Sequence, residues 1–213
     1  ATRLGIKVEP PSINRSGVTF EVEPHGDRLA IRYALAALKG VGAQAVEAIV
    51  AARGDGPFAD LGDFARRINP RAVNKRVLES LAAAGAFDEL EPNRAASFGA
   101  VDTLLGVAQR SHESAAVGQN ELFGGPAARE PLALPSVEPW LAAERLRREF
   151  DAIGFFLSGH PLDDYTETLK RMRVQSWAEF AKAVKAGVTA GRVAATVVSR
   201  TERRTRTGSK MGL

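Results

Sequence analysis

The sequence predicts a mainly α-helical protein with a small β-hairpin near its N-terminus and a short, truncated β segment at its C-terminus. Apolar residues recur at helical spacing through the middle of the 213 residues. Apolar and polar residues alternate only near the two ends, as in strands, and glycine and proline interrupt the pattern between about residues 115 and 136. A hydrophobic content of 45% is compatible with a packed core.

The predicted β elements lie at the two ends of the chain. Residues 18–22 and 29–33 alternate in polarity, and Pro24-His25-Gly26-Asp27 between them has turn chemistry, so we expect a hairpin. Residues 188–199 alternate weakly and are rich in valine and threonine, which indicates the first strand or two of a β-domain. Because two strands alone are marginally stable in water, we expect this domain to be cut short.

Helices are predicted wherever apolar residues repeat every three to four positions. One contains Ala45 to Val50, the next begins at the cap Asp60, and a third ends at Gly85. Further helices are expected over residues 93–114, around 140–150, and over 161–172 and 176–185. The expected divisions are an N-terminal region with the hairpin (1–33), a helical domain (34–114), a linker (115–136), a helical connector (137–186) and the truncated β segment (187–213).

Composition excludes some classes of protein and leaves nucleic-acid binding open. There is no cysteine, which excludes disulfides and thiolate metal sites and fits a reducing cytoplasm. No apolar run is long enough to cross a bilayer. The absence of an initiator methionine suggests a processed or excised fragment. The net charge of +4 permits nucleic-acid binding without arguing for it. Six cations between Arg192 and Lys210 form either a solvated tail or a basic surface.

Residues 38–42, Leu-Lys-Gly-Val-Gly, followed by Ala45 and Ile49, fit a helix-hairpin-helix. Two glycines allow a tight turn that exposes backbone N–H groups at the start of the next helix, where a phosphate oxygen is favoured. Such contacts hold the DNA backbone without selecting bases. The candidate DNA contacts are Lys39, Gly40, Val41 and Gly42. The alternative is an ordinary helix connection that uses glycine for its geometry.

A second, degenerate copy follows in residues 77–87, where a helix leads into a turn of small residues around Gly85. Tandem hairpins pack as a pseudo-symmetric pair and grip both strands across a minor groove. Asn74, Lys75 and Arg76 put polar and cationic groups before it and, with Gly85, complete the predicted DNA-binding set. A plain core helix remains the alternative.

Residues 119–123, Gln-Asn-Glu-Leu-Phe, lie in the linker. Adjacent apolar side chains in a glycine- and proline-rich segment are unfavourable unless something covers them. Gln119, Leu122 and Phe123 are therefore candidates to fill a pocket on a partner protein. The alternative is that Leu122 and Phe123 pack back on their own domain.

No catalytic or metal-binding residue is predicted. Asp163 and Asp164 are adjacent and diverge on a helix, so we interpret them as first-turn acids that favour the helix dipole. His160 is interpreted as a helix-entry residue, and Ser158 has no partners for a triad.

Four features, in order along the chain, resemble the alpha subunits of bacterial DNA polymerase III, a family of replicative polymerases. Residues 5–14 resemble the end of its fingers region, and residues 31–42 and 74–88 its tandem hairpins. Residues 119–124 resemble its sliding-clamp motif, and residues 157–162 the segment before its OB domain.

The resemblance implies that the hairpins contact duplex DNA leaving the active site, and that Gln119, Leu122 and Phe123 bind the beta sliding clamp. It further implies that the β segment starts an OB-fold, and that the parent protein is a magnesium-dependent DNA-directed DNA polymerase, a nucleotidyltransferase that assembles with other holoenzyme subunits in the cytoplasm. The family's catalytic aspartates lie in a palm domain that this chain lacks, so we expect no cofactor and no polymerase activity here. The incomplete OB-fold and the Ala84-Gly85-Ala86 turn depart from the family pattern.

Three alternatives remain: an error-prone polymerase of the same family, against which the well-formed clamp motif argues, a hairpin domain of a repair nuclease or ligase, and a hairpin scaffold that binds only protein. Duplex binding that weakens with salt would distinguish a DNA-holding segment of a replicative polymerase from the protein-binding scaffold.

Overall fold

The computed structural model describes residues 5–54, 56–116, 132–198, 200–204 and 210–212. The chain forms two compact units, Ala1–Ser158 and Gly159–Leu213. Within these residues the protein is mainly helical with small sheets, which confirms the predicted class. Among the described helices, none is both long and apolar enough to span a lipid bilayer.

The first unit begins with a three-stranded sheet. Its strands are β1 (Lys7–Glu9), β2 (Glu21–His25) and β3 (Arg28–Arg32). The central strand β3 runs parallel to β1 and antiparallel to β2. The predicted hairpin is therefore confirmed. Its first strand starts three residues later than expected, and Gly26 makes the tight turn with φ +58°.

A 3₁₀ turn at Leu35–Ala37 leads from the sheet to the helices of the first unit. These helices are α1 (Ala43–Arg53), α2 (Leu61–Arg67), α3 (Lys75–Ala84), α4 (Arg94–Gly99), α5 (Val101–Ala116) and α6 (Ala142–Ile153). Both predicted helix ends are confirmed. Asp60 caps α2 by accepting from the Asp63 N–H at 2.7 Å, and Gly85 ends α3 in the left-handed conformation.

The single helix expected over residues 93–114 is two helices that meet at Ala100. The interruption follows Gly99, a weak helix former. A Cβ atom at Gly99 would lie 3.2 Å from Pro135, so the returning chain packs closely against this point. Tertiary packing of a distant proline is not visible in the local pattern.

The core of the first unit lies among its helices. Helix α5 packs against α2 and α3, and α6 packs against α3. Aromatic rings fill the centre, where Phe64 makes edge-to-face contacts with Phe58 and Phe87 at centroid distances of 5.1 Å each. Burial of these rings and the surrounding aliphatic side chains is the main stabilising contribution.

The second unit contains a 3₁₀ turn (Asp163–Tyr165), α7 (Thr166–Arg171), α8 (Trp177–Lys185) and the paired strands β4 (Glu202–Arg204) and β5 (Lys210–Gly212). The strand expected within 188–199 is wrong: residues 188–198 are in no strand. A strand needs a partner for its backbone groups, and alternation alone does not supply one. The pairing that does form lies further on, between β4 and β5. The OB-fold identity of this region stays a prediction.

Candidate nucleic-acid interface

The first predicted hairpin is a tight turn between the 3₁₀ turn and α1. Gly40 has φ +82°, a conformation that L side chains rarely adopt. The Val41 N–H donates to the Leu38 carbonyl at 3.1 Å, and the Val41 side chain is only 6% exposed. Val41 therefore anchors the turn in the core, while its neighbours Gly40 and Gly42 stay exposed.

Gly42 leaves the start of α1 open. It is the N-cap residue, in extended conformation, and it provides no side-chain hydrogen bond to the helix. The first N–H groups of a helix have no intrahelical acceptor. Gly42, Ala43 and Gln44 are all exposed, and the positive end of the helix dipole lies here. This arrangement suits an anionic oxygen arriving from solvent.

Cationic side chains surround the turn. Lys39 and Arg76 line a groove of about 330 Å³ together with Arg148 of α6. A Cβ atom at Gly40 would lie 2.8 Å from the Arg76 Nε, so Arg76 packs directly on the turn. The groove is not purely cationic, because Glu79 and Asp151 also line it. The structure thus brings the predicted residues Lys39, Gly40 and Arg76 together.

Asn74 and Lys75 lie at the start of α3 and already have partners within the protein. The Asn74 side chain caps α3 by accepting from the Val77 N–H at 3.1 Å. The Lys75 Nζ lies 2.8 Å from Asp102 Oδ1 of α5, and the hydrogen bond with Asp102 raises the pKa of Lys75. Both side chains are exposed, so these contacts do not shield them from solvent.

The second hairpin differs from the first at both of its ends. The Gly85 N–H donates to the Ala82 carbonyl at 3.1 Å, and a Cβ atom at Gly85 would overlap the Arg94 guanidinium. The next helix, α4, is capped by the Asn93 side chain, which accepts from the Ala95 and Ala96 N–H groups. Gly85 therefore ends a helix against a buried cation, and Asn93 satisfies the Ala95 and Ala96 N–H groups at the start of the next helix.

A buried ion cluster joins α4 to α6. Arg94 is 8% exposed and Glu149 is 1% exposed, and Arg94 Nη1 lies 3.1 Å from Glu149 Oε2. Arg94 also pairs with Asp88 at 2.7 Å. The other oxygen of Glu149 accepts from the Leu157 and Ser158 N–H groups at 2.8 Å each.

The cluster also sets the charge state of Glu149. Burial alone raises the pKa of this carboxyl, but hydrogen bonds from Ser158, Leu157 and Arg94 outweigh burial and leave the pKa below its ordinary value. No local sequence pattern marks this cluster, because its members Asp88, Arg94 and Glu149 are separated by up to 61 positions. Glu149 is therefore an ionised carboxylate at neutral pH and forms an ion pair with Arg94.

The predicted partner-binding residues Gln119, Leu122 and Phe123 lie outside the described residues. On one side of them α5 reaches Ala116. On the other side Leu132 and Leu134 pack against the core of the first unit. Both flanks of this segment therefore belong to the unit that carries the hairpins.

The described residues contain no group of three or more histidine, aspartate or glutamate side chains that could hold a metal ion. Asp163 accepts from the His160 N–H at 2.7 Å, and the His160 Nδ1 accepts from the Leu162 N–H at 3.1 Å. These contacts organise the entry to the 3₁₀ turn at Asp163–Tyr165, as the sequence interpretation of His160 expected.

Arg148 is the residue near the hairpin that sequence analysis missed. It shares the groove with Lys39, which is 109 positions earlier in the chain. Its guanidinium stacks on Trp140 and Phe98, with centroid distances of 4.3 and 4.9 Å. The sequence offers only a weak signal, the i,i+4 spacing of Glu144 and Arg148 that marks an exposed helix face.

Comparison with known proteins adds two findings. The sequence profile of the helix-hairpin-helix motif matches residues 5–97. The chain is 44% identical over 212 residues, 99% of its length, to DNA polymerase III subunit alpha of Caulobacter vibrioides. It is 40% identical over 173 residues to the protein of that name from Vibrio cholerae and 37% identical over 174 residues to the one from Escherichia coli, each covering 79% of the chain.

The similarity extends over only a part of each relative. The chain spans 18% of the Caulobacter protein and 15% of the other two. Identity of this level over nearly the whole chain nevertheless establishes common ancestry with that part. The chain is therefore a homologue of a segment of DNA polymerase III subunit alpha, with a helix-hairpin-helix motif between residues 5 and 97.

Proposed function

We propose that this chain is the part of a bacterial DNA polymerase III alpha subunit that holds duplex DNA and binds the sliding clamp. The observation that carries the proposal is the open N-terminus of α1 at Gly42, next to Lys39 and Arg76. The helix-hairpin-helix match and the polymerase relatives support DNA as the ligand. The function is then to grip the DNA product while other parts of the polymerase perform the chemistry.

In this proposal the first hairpin binds one backbone phosphate. The N–H groups after Gly42 donate to the phosphate oxygen, and Lys39 and Arg76 add charge. Phosphate contacts of this kind make affinity fall steeply with salt, with a log–log slope of about −0.9 for each phosphate neutralised on B-DNA. Because Gly85 and the start of α4 are internally satisfied, the second hairpin contributes through Asn74, Lys75 and Arg76 at the start of α3 rather than through its own turn.

A substitution at Gly42 tests the hairpin. A Cβ atom at Gly42 meets nothing within 4 Å, and its φ of −82° suits any residue, so Gly42→Val is expected to fold normally. The new side chain would stand between the N–H groups and a phosphate, so we expect weaker duplex binding, with a smaller effect on single strands. Gly106→Val on α5, whose added Cβ makes only ordinary contact with Arg110, is the matched control. Gly40→Val is expected to weaken binding too, but φ +82° makes it strained.

Titration of a short duplex at several salt concentrations gives the measurement. Affinity that falls with salt in the wild type, and is lower in Gly42→Val but not in Gly106→Val, supports the proposal. Duplex affinity that ignores salt, or equal loss on duplex and single strand, would contradict it. Those outcomes would favour the alternative that the hairpins bind only protein.

The clamp-binding part of the proposal rests on the Gln119-Asn120-Glu121-Leu122-Phe123 motif and on its place in the chain. Both flanks of the segment belong to the unit with the hairpins. A clamp held there would keep the enzyme at high effective concentration on the DNA, which is the physical basis of processivity.

The double substitution Leu122→Ala and Phe123→Ala tests clamp binding. We expect it to abolish binding to a purified bacterial sliding clamp while the thermal unfolding of the chain is unchanged. Replacement of Val137 and Leu141, which are 41% and 79% exposed, is the matched control for loss of surface apolar groups. Unchanged affinity in the first double variant would overturn the assignment of the motif.

Polymerase activity, magnesium use, assembly with other holoenzyme subunits and a cytoplasmic location are proposed for the full-length protein. The relatives are named as subunits of DNA polymerase III. Magnesium is proposed for the parent protein because of this resemblance to DNA polymerases. Primer extension by the full-length protein but not by residues 1–213 is the expected result.

A further inference from the structure

We propose that Arg148 of α6 binds a second DNA phosphate, adjacent to the phosphate held by the first hairpin. The inference rests on the proposed function and extends the DNA contact to a helix outside the hairpin motif. The observation behind it is that cations from three elements converge on one groove. Lys39 comes from the turn, Arg76 from α3 and Arg148 from α6.

The turn and α6 are joined through the main chain. The Lys39 N–H donates to the Ala152 carbonyl at 2.8 Å, and the Ser80 hydroxyl donates to the Lys39 carbonyl at 2.7 Å. The Lys39 ammonium lies 5.7 Å from the centroid of Phe150. Arg148 lies one helical turn before Ala152, so the hydrogen bond that positions the turn also positions Arg148 relative to it. A ligand on the turn therefore meets α6 at a defined separation.

Arg148 is held ready for an anion. Its guanidinium stacks on Trp140 and Phe98, and stacking on a ring face leaves the in-plane N–H groups available as donors at the edges of the group, where Nε and Nη2 meet Glu144 at 2.9 Å. The Arg148 side chain is 34% exposed and that of its partner Glu144 is 46% exposed. The Arg148 Nη2 lies 2.9 Å from the Glu144 Oε1. An exposed pair of this kind contributes little. A phosphate can therefore replace Glu144 at small cost, and the stacked side chain loses little entropy on binding.

The charges of the groove limit the contact to the guanidinium. Glu79 and Asp151 lie in the same groove as the three cations and repel a phosphate that enters deeply. Asp151 also lines a second groove with Arg148 and Glu144, so a phosphate at Arg148 has carboxylates nearby and gains its contact from the two N–H donors of one guanidinium. The groove therefore adds one phosphate contact to the interface rather than a broad basic surface.

The test compares Arg148→Gln and Arg148→Met with the wild-type chain in duplex titrations over a range of salt concentrations. Methionine retains the apolar stem against Trp140, so weaker duplex binding by Arg148→Met would result from the loss of the guanidinium charge. We expect affinity at low salt to fall roughly tenfold and the log–log salt slope to become shallower by about 0.9. Arg145→Gln is the matched control, because Arg145 is exposed on the same helix but lines a different groove.

A second measurement leaves Arg148 intact. The chain has two tryptophans, Trp140 and Trp177. In a Trp177→Phe background, Trp140 is the remaining tryptophan and it stacks on Arg148. Its fluorescence emission is expected to change as duplex is added, and the midpoint of that change should coincide with the midpoint of the duplex-binding curve. This readout stays decisive if the Arg148 variants fail to fold.

Two outcomes separate this inference from the proposed function. Wild-type binding that weakens with salt, together with an unchanged slope in the Arg148 variants or unchanged Trp140 emission, overturns the role of Arg148 and leaves the hairpin contact intact. Wild-type duplex binding that does not respond to salt overturns the hairpin contact itself. A slope that also changes in Arg145→Gln would show general charge loss and would contradict a specific Arg148 contact.

Discussion

Glu149 stands at the centre of the contacts that hold α6 in the first unit. Its two oxygens accept hydrogen bonds from Arg94 and from the Leu157 and Ser158 N–H groups. A buried ion pair adds little net stability compared with a well-packed apolar pair, yet removal of one partner leaves the other charge buried and uncompensated. The Arg94–Glu149 pair therefore adds little stability compared with an apolar pair in its place, but removal of Glu149 alone is expected to be strongly destabilising.

Glu149→Ala is expected to lower the free energy of unfolding by about 3 kcal/mol or more. Arg94 would keep Asp88 as a partner, so the loss should be at the lower end of the range for broken buried pairs. Glu144→Ala, which removes an exposed carboxylate from the same helix, is expected to cost less than about 1 kcal/mol. Urea unfolding of both variants measures the difference. Similar small losses in the two variants would contradict the role of the buried cluster.

The lowered pKa of Glu149 predicts a dependence of stability on pH. Its pKa in the folded state lies below the ordinary value of 4.5, so the unfolded chain takes up a proton first as pH falls. The stabilisation is thus fully present above pH 4.5 and is lost as pH falls through the folded pKa. Glu149→Gln should flatten this part of the stability curve. The free energy of unfolding is measured with urea between about pH 6 and 3. The same pH dependence in Glu149→Gln as in the wild type would contradict the role assigned to Glu149.

At the scale of elements, three helix N-termini in the same unit differ in what satisfies them. Asn74 caps α3 and Asn93 caps α4, but Gly42 offers α1 no side chain. A cap residue uses the helix N–H groups that an external anion would need. The difference explains why the proposed phosphate site lies at α1, although both hairpins contain a glycine turn.

Asn74→Ala is expected to destabilise the protein by about 1 kcal/mol, because the Val77 N–H loses its acceptor. Asn74→Ser retains an N-cap oxygen and should restore most of the stability. Thermal unfolding and duplex binding of both variants separate the two roles of this residue. Weaker DNA binding in the well-folded Asn74→Ser variant would show a direct DNA contact in addition to the cap.

Local patterns predicted most elements but not all of them. The hairpin at β2 and β3, the cap at Asp60 and the end of α3 at Gly85 depend on residues within a few positions, so sequence was sufficient. The expected strand does not form in the described residues 188–198, because pairing requires a second segment that alternation does not specify. The break at Ala100 arises where Pro135 packs on Gly99.

At the scale of the whole molecule, the two units differ in burial. The first contains a cluster of fully buried side chains around Phe64 and Phe87. In the second, neither α7 nor α8 has a buried residue, and Trp177 is 66% exposed. Elements with few buried apolar contacts open at low free energy. The second unit is therefore expected to be the less stable of the two.

Hydrogen exchange of the 213-residue chain tests this difference. Amide protons of α3 should exchange only on global unfolding, while those of α8 should exchange through local opening at a lower free energy. The capping box of Ser176 and Glu179 protects only the first turn of α8. Equal protection in α3 and α8 would show that the second unit has a stable core of its own.

The sequence by itself determined the helical class, the β-hairpin and the glycine turn at Gly40–Gly42, because each depends on residues that are neighbours along the chain. It also carried the similarity to the polymerase segment. Only the tertiary structure decided which charged groups have internal partners. It pairs Arg94 with Glu149 and Lys75 with Asp102, and it brings Arg148 into the groove of Lys39. Burial and charge pairing depend on contacts between distant positions, which no local pattern specifies.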